Sequence, residues 1–138
     1  MRPSHTPTLD RRELTAIFLG GAAGALLRVW LGVTFASAAT AWPWSIFLIN
    51  VTGCFALGCL ATLLQERPLR SPAPHPLLAA GFCGAYSTFA TMQIELLQML
   101  QHDRYALAFG YAAASVAAGY FAIWLATTTM RRRVRVLA

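Results

Sequence analysis

Apolar residues in this chain run in four long blocks, and the charged residues stand almost entirely between them. The blocks cover residues of about 14–36, 43–65, 77–100 and 105–130. Each is close to the roughly 20 residues that a helix needs to cross a bilayer. Arg11, Arg12 and Glu13 mark the start of the first. A short uncharged turn ends at Trp42, and Pro43 opens the second. Trp42 and Trp44 flank that proline and suit the membrane interface. Glu66, Arg67, Arg70 and His75, set among Pro68, Pro72, Pro74 and Pro76, make the middle loop. His102, Asp103 and Arg104 make a tight turn, and Arg131, Arg132, Arg133 and Arg135 close the chain. The pattern predicts an all-α integral membrane protein: one domain over 1–138 with four transmembrane helices.

The third block breaks the pattern of a plain span. From Gly81 to Met92 it reads Gly-Phe-Cys-Gly-Ala-Tyr-Ser-Thr-Phe-Ala-Thr-Met, inside an uncharged run from Pro76 to Ile94. Gly81, Gly84, Ser87, Thr88 and Thr91 stand where a simple anchor would carry leucine. Backbone released from a helix at membrane depth must find partners in protein or line a polar cavity. Interrupted helices at mid-membrane are where transport proteins hold ions and small substrates. This block therefore points to transport rather than anchoring.

Composition narrows the field further. Of 138 residues, 57% are hydrophobic and only 12% charged, and the mean hydropathy is +0.54. Four spans leave little chain for a soluble domain. The first block is too long, and carries Arg28 too deep, for a cleaved signal peptide. The net charge of +6 is all arginine. Because these arginines flank apolar spans, they are read as contacts to lipid headgroups rather than to nucleic acid. Nine of the 11 basic residues fall on the side that holds both termini, and only Arg104 on the other, with Arg28 inside a span. The positive-inside rule then places both termini in the cytoplasm. Cys54, Cys59 and Cys83 lie inside spans at no metal-ligand spacing and are read as small buried apolar residues. His5, His75 and His102 lie in tails or loops, without metal-ligand spacing. No phosphate loop, nucleophile elbow or other enzyme constellation is visible.

The polar residues within the spans carry the candidate chemistry. Gly20 and Gly24 are a small-xxx-small pair that permits close helix approach. Arg28, four residues on, either snorkels, meets backbone carbonyls or draws anions to a vestibule. Asn50 in the second block is interhelical glue or the lining of a polar path; a buried amide wants several hydrogen bonds. Glu95 is an interfacial carboxylate or, at membrane depth, a functional one. Tyr111, Ser115 and Gly119 share one face of the fourth helix. That face is a packing surface or a line of hydroxyls on a pore.

Three motifs in order resemble the Fluc (CrcB) family of bacterial fluoride channels. They are Gly20-Gly21-x-x-Gly24-Ala25-x-x-Arg28, Asn50-x-x-Gly53, and Gly81 to Thr91 with Gly84-Ala85-Tyr86-Ser87-Thr88-Phe89 at its centre. The resemblance runs from about Leu14 through the fourth block. It implies a fluoride-selective channel of the bacterial inner membrane, built as an antiparallel homodimer of four-helix subunits with a broken third helix. It also implies a structural sodium ion at the dimer interface, held by the backbone carbonyls of Gly84 and Ser87. Asn50, Phe89, Met92, Tyr111, Ser115 and Glu95 take the pore positions. Some residues depart from the family pattern. Met92 stands where a second pore phenylalanine is usual and lacks its positive ring edge. Ala85 replaces a glycine, Ser87 a threonine, and Gly119 a hydroxyl.

Two other classes share the hydropathy pattern. A small four-helix proton-coupled multidrug exporter needs a membrane-embedded carboxylate early in the chain, and here the first is Glu95. The other class is a non-conducting assembly subunit, against which the polar residues in spans two to four argue. One tension remains within the favoured class. An antiparallel dimer needs both orientations, whereas the arginine bias predicts one.

Overall fold

The computed structural model describes residues 11–38, 40–66 and 81–136, all of whose regular structure is helical. The elements are α1 (Arg11–Thr34), α2 (Trp44–Glu66), α3 (Gly84–Tyr86), α4 (Phe89–Gln101) and α5 (Tyr105–Val136). A π-helical turn over 81–83 leads into α3. The middle loop from Arg67, residues 77–80, His5 and His75 fall outside the described residues.

Three helices, α1, α2 and α5, are long and apolar enough to cross a membrane. At about 1.5 Å per residue, α1 and α2 reach about 35 Å and α5 about 48 Å, against a hydrocarbon core of about 30 Å. The 13 residues of α4 reach only about 20 Å. Helix and apolar block part company at the chain's end. The apolar run stops at Met130, but α5 continues through Arg131, Arg132 and Arg133, because arginine is a strong helix former and nothing there breaks the ladder.

Small residues set how closely the helices approach. A Cβ on Gly24 would collide with the Phe82 carbonyl oxygen, and one on Gly81 would lie 2.7 Å from the Ile17 oxygen. Backbone thus lies against backbone where α1 meets the segment before α3. Gly20 and Gly24 are the buried residues of α1. Between α2 and α5, a Cβ on Gly58 would come within 2.9 Å of the Ala126 Cβ, and one on Gly119 would meet Cys54 Sγ at 3.5 Å. Without a hydrophobic driving force between helices in lipid, such close packing is what holds them.

The α4–α5 turn is tight, as the sequence predicts. Asp103 adopts φ 56°, a left-handed conformation that a short polar side chain tolerates. The Arg104 N–H donates to the Met99 carbonyl at 2.9 Å, and Tyr105 OH donates to Asp103 Oδ1 at 3.0 Å. Beside this turn lies a core cluster of the chain. Met99, Ala108 and Tyr111 are buried there, with Trp42, Phe47, Met92, Leu96 and Leu107 packed around them. Trp42 is thus drawn inward, edge-to-face on Tyr111 at 5.5 Å, while Trp44 stays exposed. Of the cysteines, Cys83 is buried, but Cys54 and Cys59 are only half-buried. Phe18, Leu26, Trp30, Val33, Phe109, Val116 and Tyr120 are all mostly exposed. In water such a surface would aggregate; in lipid it is the ordinary outer face of a multi-pass membrane protein.

Candidate functional site

The site is built around two residues where the helix lapses. Ser87 (φ −76°, ψ 150°) closes α3, and Thr88 (φ −145°, ψ 115°) caps the start of α4. Both are extended. In a continuous helix the N–H of Thr88 would bond the Gly84 carbonyl and that of Thr91 the Ser87 carbonyl. Here both donors go elsewhere. Thr88 N–H donates to Asn50 Oδ1 at 2.8 Å, and Thr91 N–H donates to Thr88 Oγ1 at 3.2 Å. Two side chains therefore strip the Gly84 and Ser87 carbonyls of their helical partners. Ser87 turns its own N–H and hydroxyl back to the Cys83 carbonyl, at 3.2 Å and 3.1 Å.

Three contacts hold this junction to its neighbours. The Asn50 amide uses both ends on one residue, since Nδ2 also donates to the Thr88 carbonyl at 3.1 Å. Arg28 Nε donates to the Ala85 carbonyl at 3.1 Å, so its charge is spent partly on freed backbone. Thr52 Oγ1 and Tyr86 OH lie 3.1 Å apart, tying α2 to α3. Gly53 lets the chains close here, since a Cβ on it would meet Ser87 Cβ at 3.1 Å.

A second polar cluster lies one to two turns along α4. Tyr111 is fully buried, and its hydroxyl donates to Glu95 Oε2 at 2.7 Å. Ser115 Oγ and Trp42 Nε1 are buried with no hydrogen-bond partner among the described residues. A cavity of about 300 Å³ opens beside Glu95, lined by Arg28, Ser45 and Thr91 among others.

The structure thus gathers most of the sequence-predicted residues. Arg28, Asn50, Gly84 and Ser87 meet at the junction; Glu95, Tyr111 and Ser115 form the second cluster. Phe89 and Met92 separate. Phe89 is 72% exposed on the protomer surface, whereas Met92 packs on the core around Tyr111. Sequence reasoning overlooked Thr88 as the residue that Asn50 grips, the pairing of Thr52 with Tyr86, and Ser45. The only signal for them was their hydroxyls, and a hydroxyl in a span is common.

The comparisons with known proteins agree with one another. Residues 15–127 match the family described as CrcB-like protein, Camphor Resistance (CrcB). Among relatives, a protein of Mycolicibacterium paratuberculosis named Fluoride-specific ion channel FluC 1 is 48% identical over 127 residues, covering 91% of this chain and 96% of that one. A Mycobacterium tuberculosis protein of the same name is 43% identical, over 94% and 98% of the two chains. Fluoride-specific ion channel FluC of Acidobacterium capsulatum is 40% identical, over 86% and 95%.

Proposed function

This chain belongs to the CrcB family, and from that premise we propose that it is a fluoride-selective channel through which fluoride leaves the cytoplasm down its gradient. The observation that carries the reading is 48% identity, across 91% of the chain, to a protein named a fluoride-specific ion channel. The site's chemistry suits it. Fluoride is small, strongly hydrated and a strong hydrogen-bond acceptor. A path for it must replace water with donors and yet release the ion. The hydroxyl of Ser115, which has no partner among the described residues, and the second N–H of the Asn50 amide, whose first is given to Thr88, are of that kind.

The working unit is an antiparallel homodimer in the bacterial inner membrane, and the segment from Gly81 to Gln101 is its broken third span. Phe89 supports the dimer: a 72% exposed ring, next to the junction, reaches a pore only if a second copy supplies the facing wall. Each pore then takes Phe89 from one subunit and Asn50, Met92, Tyr111, Ser115 and Glu95 from the surfaces around it.

The Gly84 and Ser87 carbonyls fit a structural sodium site. Both lack their helical donors, and Gly84 has nothing within 4 Å of where a Cβ would stand, so that face of the junction is open. A sodium ion held there would supply a fixed positive charge without a charged side chain. Asn50 and Arg28 do the rest: the amide holds the Thr88 backbone, and the guanidinium holds the Ala85 carbonyl, so the freed oxygens keep one direction.

Purified protein reconstituted in liposomes tests the function. Fluoride efflux without chloride efflux is expected. Equal fluxes of both ions, or none, would overturn the reading.

A further inference from the structure

Ser45 is buried and polar, and it lies outside the set of pore residues proposed above. It sits in the first turn of α2 and is 9% exposed. Its hydroxyl makes no hydrogen bond to any described residue. It lines two cavities at once. One is the cavity of about 300 Å³ shared with Arg28, Thr91 and Glu95. The other, of about 250 Å³, is mostly apolar, walled by Leu31, Phe35, Leu48 and Ile49, and reaches Thr52 and Tyr86 of the junction. Ser45 thus stands between the space beside Glu95 and the space beside the helix break.

The backbone around Ser45 points to the same ligand class. The first N–H groups of a helix have no intrahelical acceptor. In α2, the N–H of Trp44 is satisfied by the Trp42 carbonyl and that of Phe47 by the Pro43 carbonyl. Between them, the N–H groups of Ser45 and Ile46 find no acceptor among the described residues. The positive end of a 23-residue helix lies at this turn, and such ends attract anions. Charge alone gives the cavity little preference, because Arg28 and Glu95 both line it, and Glu95 Oε2 already accepts from Tyr111. Neutral donors are left to select the ion. Hydroxyl and amide donors favour fluoride over chloride, since fluoride is the stronger hydrogen-bond acceptor, and they hold it loosely enough to leave.

We propose that the Ser45 hydroxyl, with the open N–H groups at the start of α2, forms a fluoride-binding position in this cavity and that Ser45 is a specificity-determining residue of the channel. The proposal rests on the fluoride-channel reading and adds a residue to it.

The test compares wild type, Ser45→Ala and Ser45→Thr in liposomes, with fluoride and chloride efflux measured across a range of fluoride concentrations. Ser45→Ala should raise the half-saturating fluoride concentration about tenfold, the loss of one good hydrogen bond. Ser45→Thr keeps the hydroxyl and should stay near wild type. A second arm places Ser45→Cys in a conducting background whose Cys54, Cys59 and Cys83 are alanine. A negatively charged, water-soluble thiosulfonate reagent should then block fluoride efflux. Wild-type fluoride dependence in Ser45→Ala, or a Ser45→Cys protein that conducts fully after reagent treatment, would overturn the proposal while leaving the channel reading intact. A wild type that carries no fluoride would overturn both.

Discussion

Asn50 and Thr88 meet as two amides face to face: Asn50 Nδ2 donates to the Thr88 carbonyl at 3.1 Å, and Thr88 N–H donates to Asn50 Oδ1 at 2.8 Å. One side chain on α2 thus satisfies both backbone groups of the residue at which the helix restarts. The same bond is what removes the Gly84 carbonyl's donor. Asn50 therefore positions the junction.

Asn50→Asp should damage the protein in two ways. The carboxylate cannot donate to the Thr88 carbonyl, so two acceptors face each other, and it sets a negative charge on an anion's path. Leaving a buried group unsatisfied costs about 1–3 kcal/mol. A fall in thermal stability in detergent, with fluoride flux reduced roughly tenfold or more, is expected. Asn50→Ala removes the clamp without adding charge and should show the stability loss. An Asn50→Asp protein with wild-type melting and wild-type flux would show that the clamp is dispensable.

The glycines of α1 and α5 make a contrasting pair. A Cβ on Gly24 would run into the Phe82 oxygen, which is backbone and cannot swing away, whereas a Cβ on Gly110 meets nothing within 4 Å. Gly24→Ala should push α1 off the junction, pulling Arg28 away from the Ala85 carbonyl, at a cost of about 1–3 kcal/mol. Gly110→Ala should be neutral, or stabilise its helix by up to about 1 kcal/mol. Melting curves of the two variants in detergent check both. Equal stability would mean that α1 is not held by backbone contact.

Much of this was legible in the sequence, and the exceptions have physical causes. Three of the four apolar blocks hold helices long and apolar enough to cross a membrane, and they were legible because charge is scarce there. The helix end of α5 was not legible from hydropathy, since Arg131, Arg132 and Arg133 extend the helix without extending the apolar run. The polar positions Arg28, Asn50, Glu95 and Tyr111 stood out because such groups are costly in a span. Their partners did not, because Arg28 and Asn50 bind backbone at Ala85 and Thr88. A carbonyl has no side-chain signature. The packing of Met92 against the cluster of Met99 and Tyr111 was likewise not legible, because motif position says nothing of which neighbours a side chain meets.

The Tyr111–Glu95 bond supplies a further test. At 2.7 Å the hydroxyl fixes one carboxylate oxygen beside the cavity that Arg28 and Thr91 also line. Tyr111→Phe keeps the ring packed on Trp42 and removes only the donor. The carboxylate is then free to swing into the cavity, where it repels an anion. Fluoride flux should drop about tenfold, with stability lowered by about 1 kcal/mol, a typical net hydrogen bond. Restoration of flux by Tyr111→Phe with Glu95→Gln would locate the harm in the released charge. Flux that stays low in the pair would assign it to the missing hydroxyl itself.

The arginine distribution and the proposed dimer pull against each other, and topology decides between them. Nine of 11 basic residues lie in the two tails and the middle loop, a bias that orients a four-span chain one way. The junction argues for the opposite arrangement. Each chain frees two carbonyls, at Gly84 and Ser87, and a hard cation wants more oxygens than two. An inverted copy related by a twofold axis doubles the set without any charged ligand. Four of the nine arginines follow Met130 in the C-terminal tail. If dimerisation captures inverted copies, that bias is overridden. With this chain expressed alone, a single cysteine placed near either terminus of a cysteine-free variant should label from both faces of intact cells. The purified protein should be a dimer that conducts fluoride. Labelling from one face only, with conduction by a parallel dimer, would overturn the antiparallel arrangement. Labelling from one face without conduction would mean that a second chain of opposite orientation completes the channel.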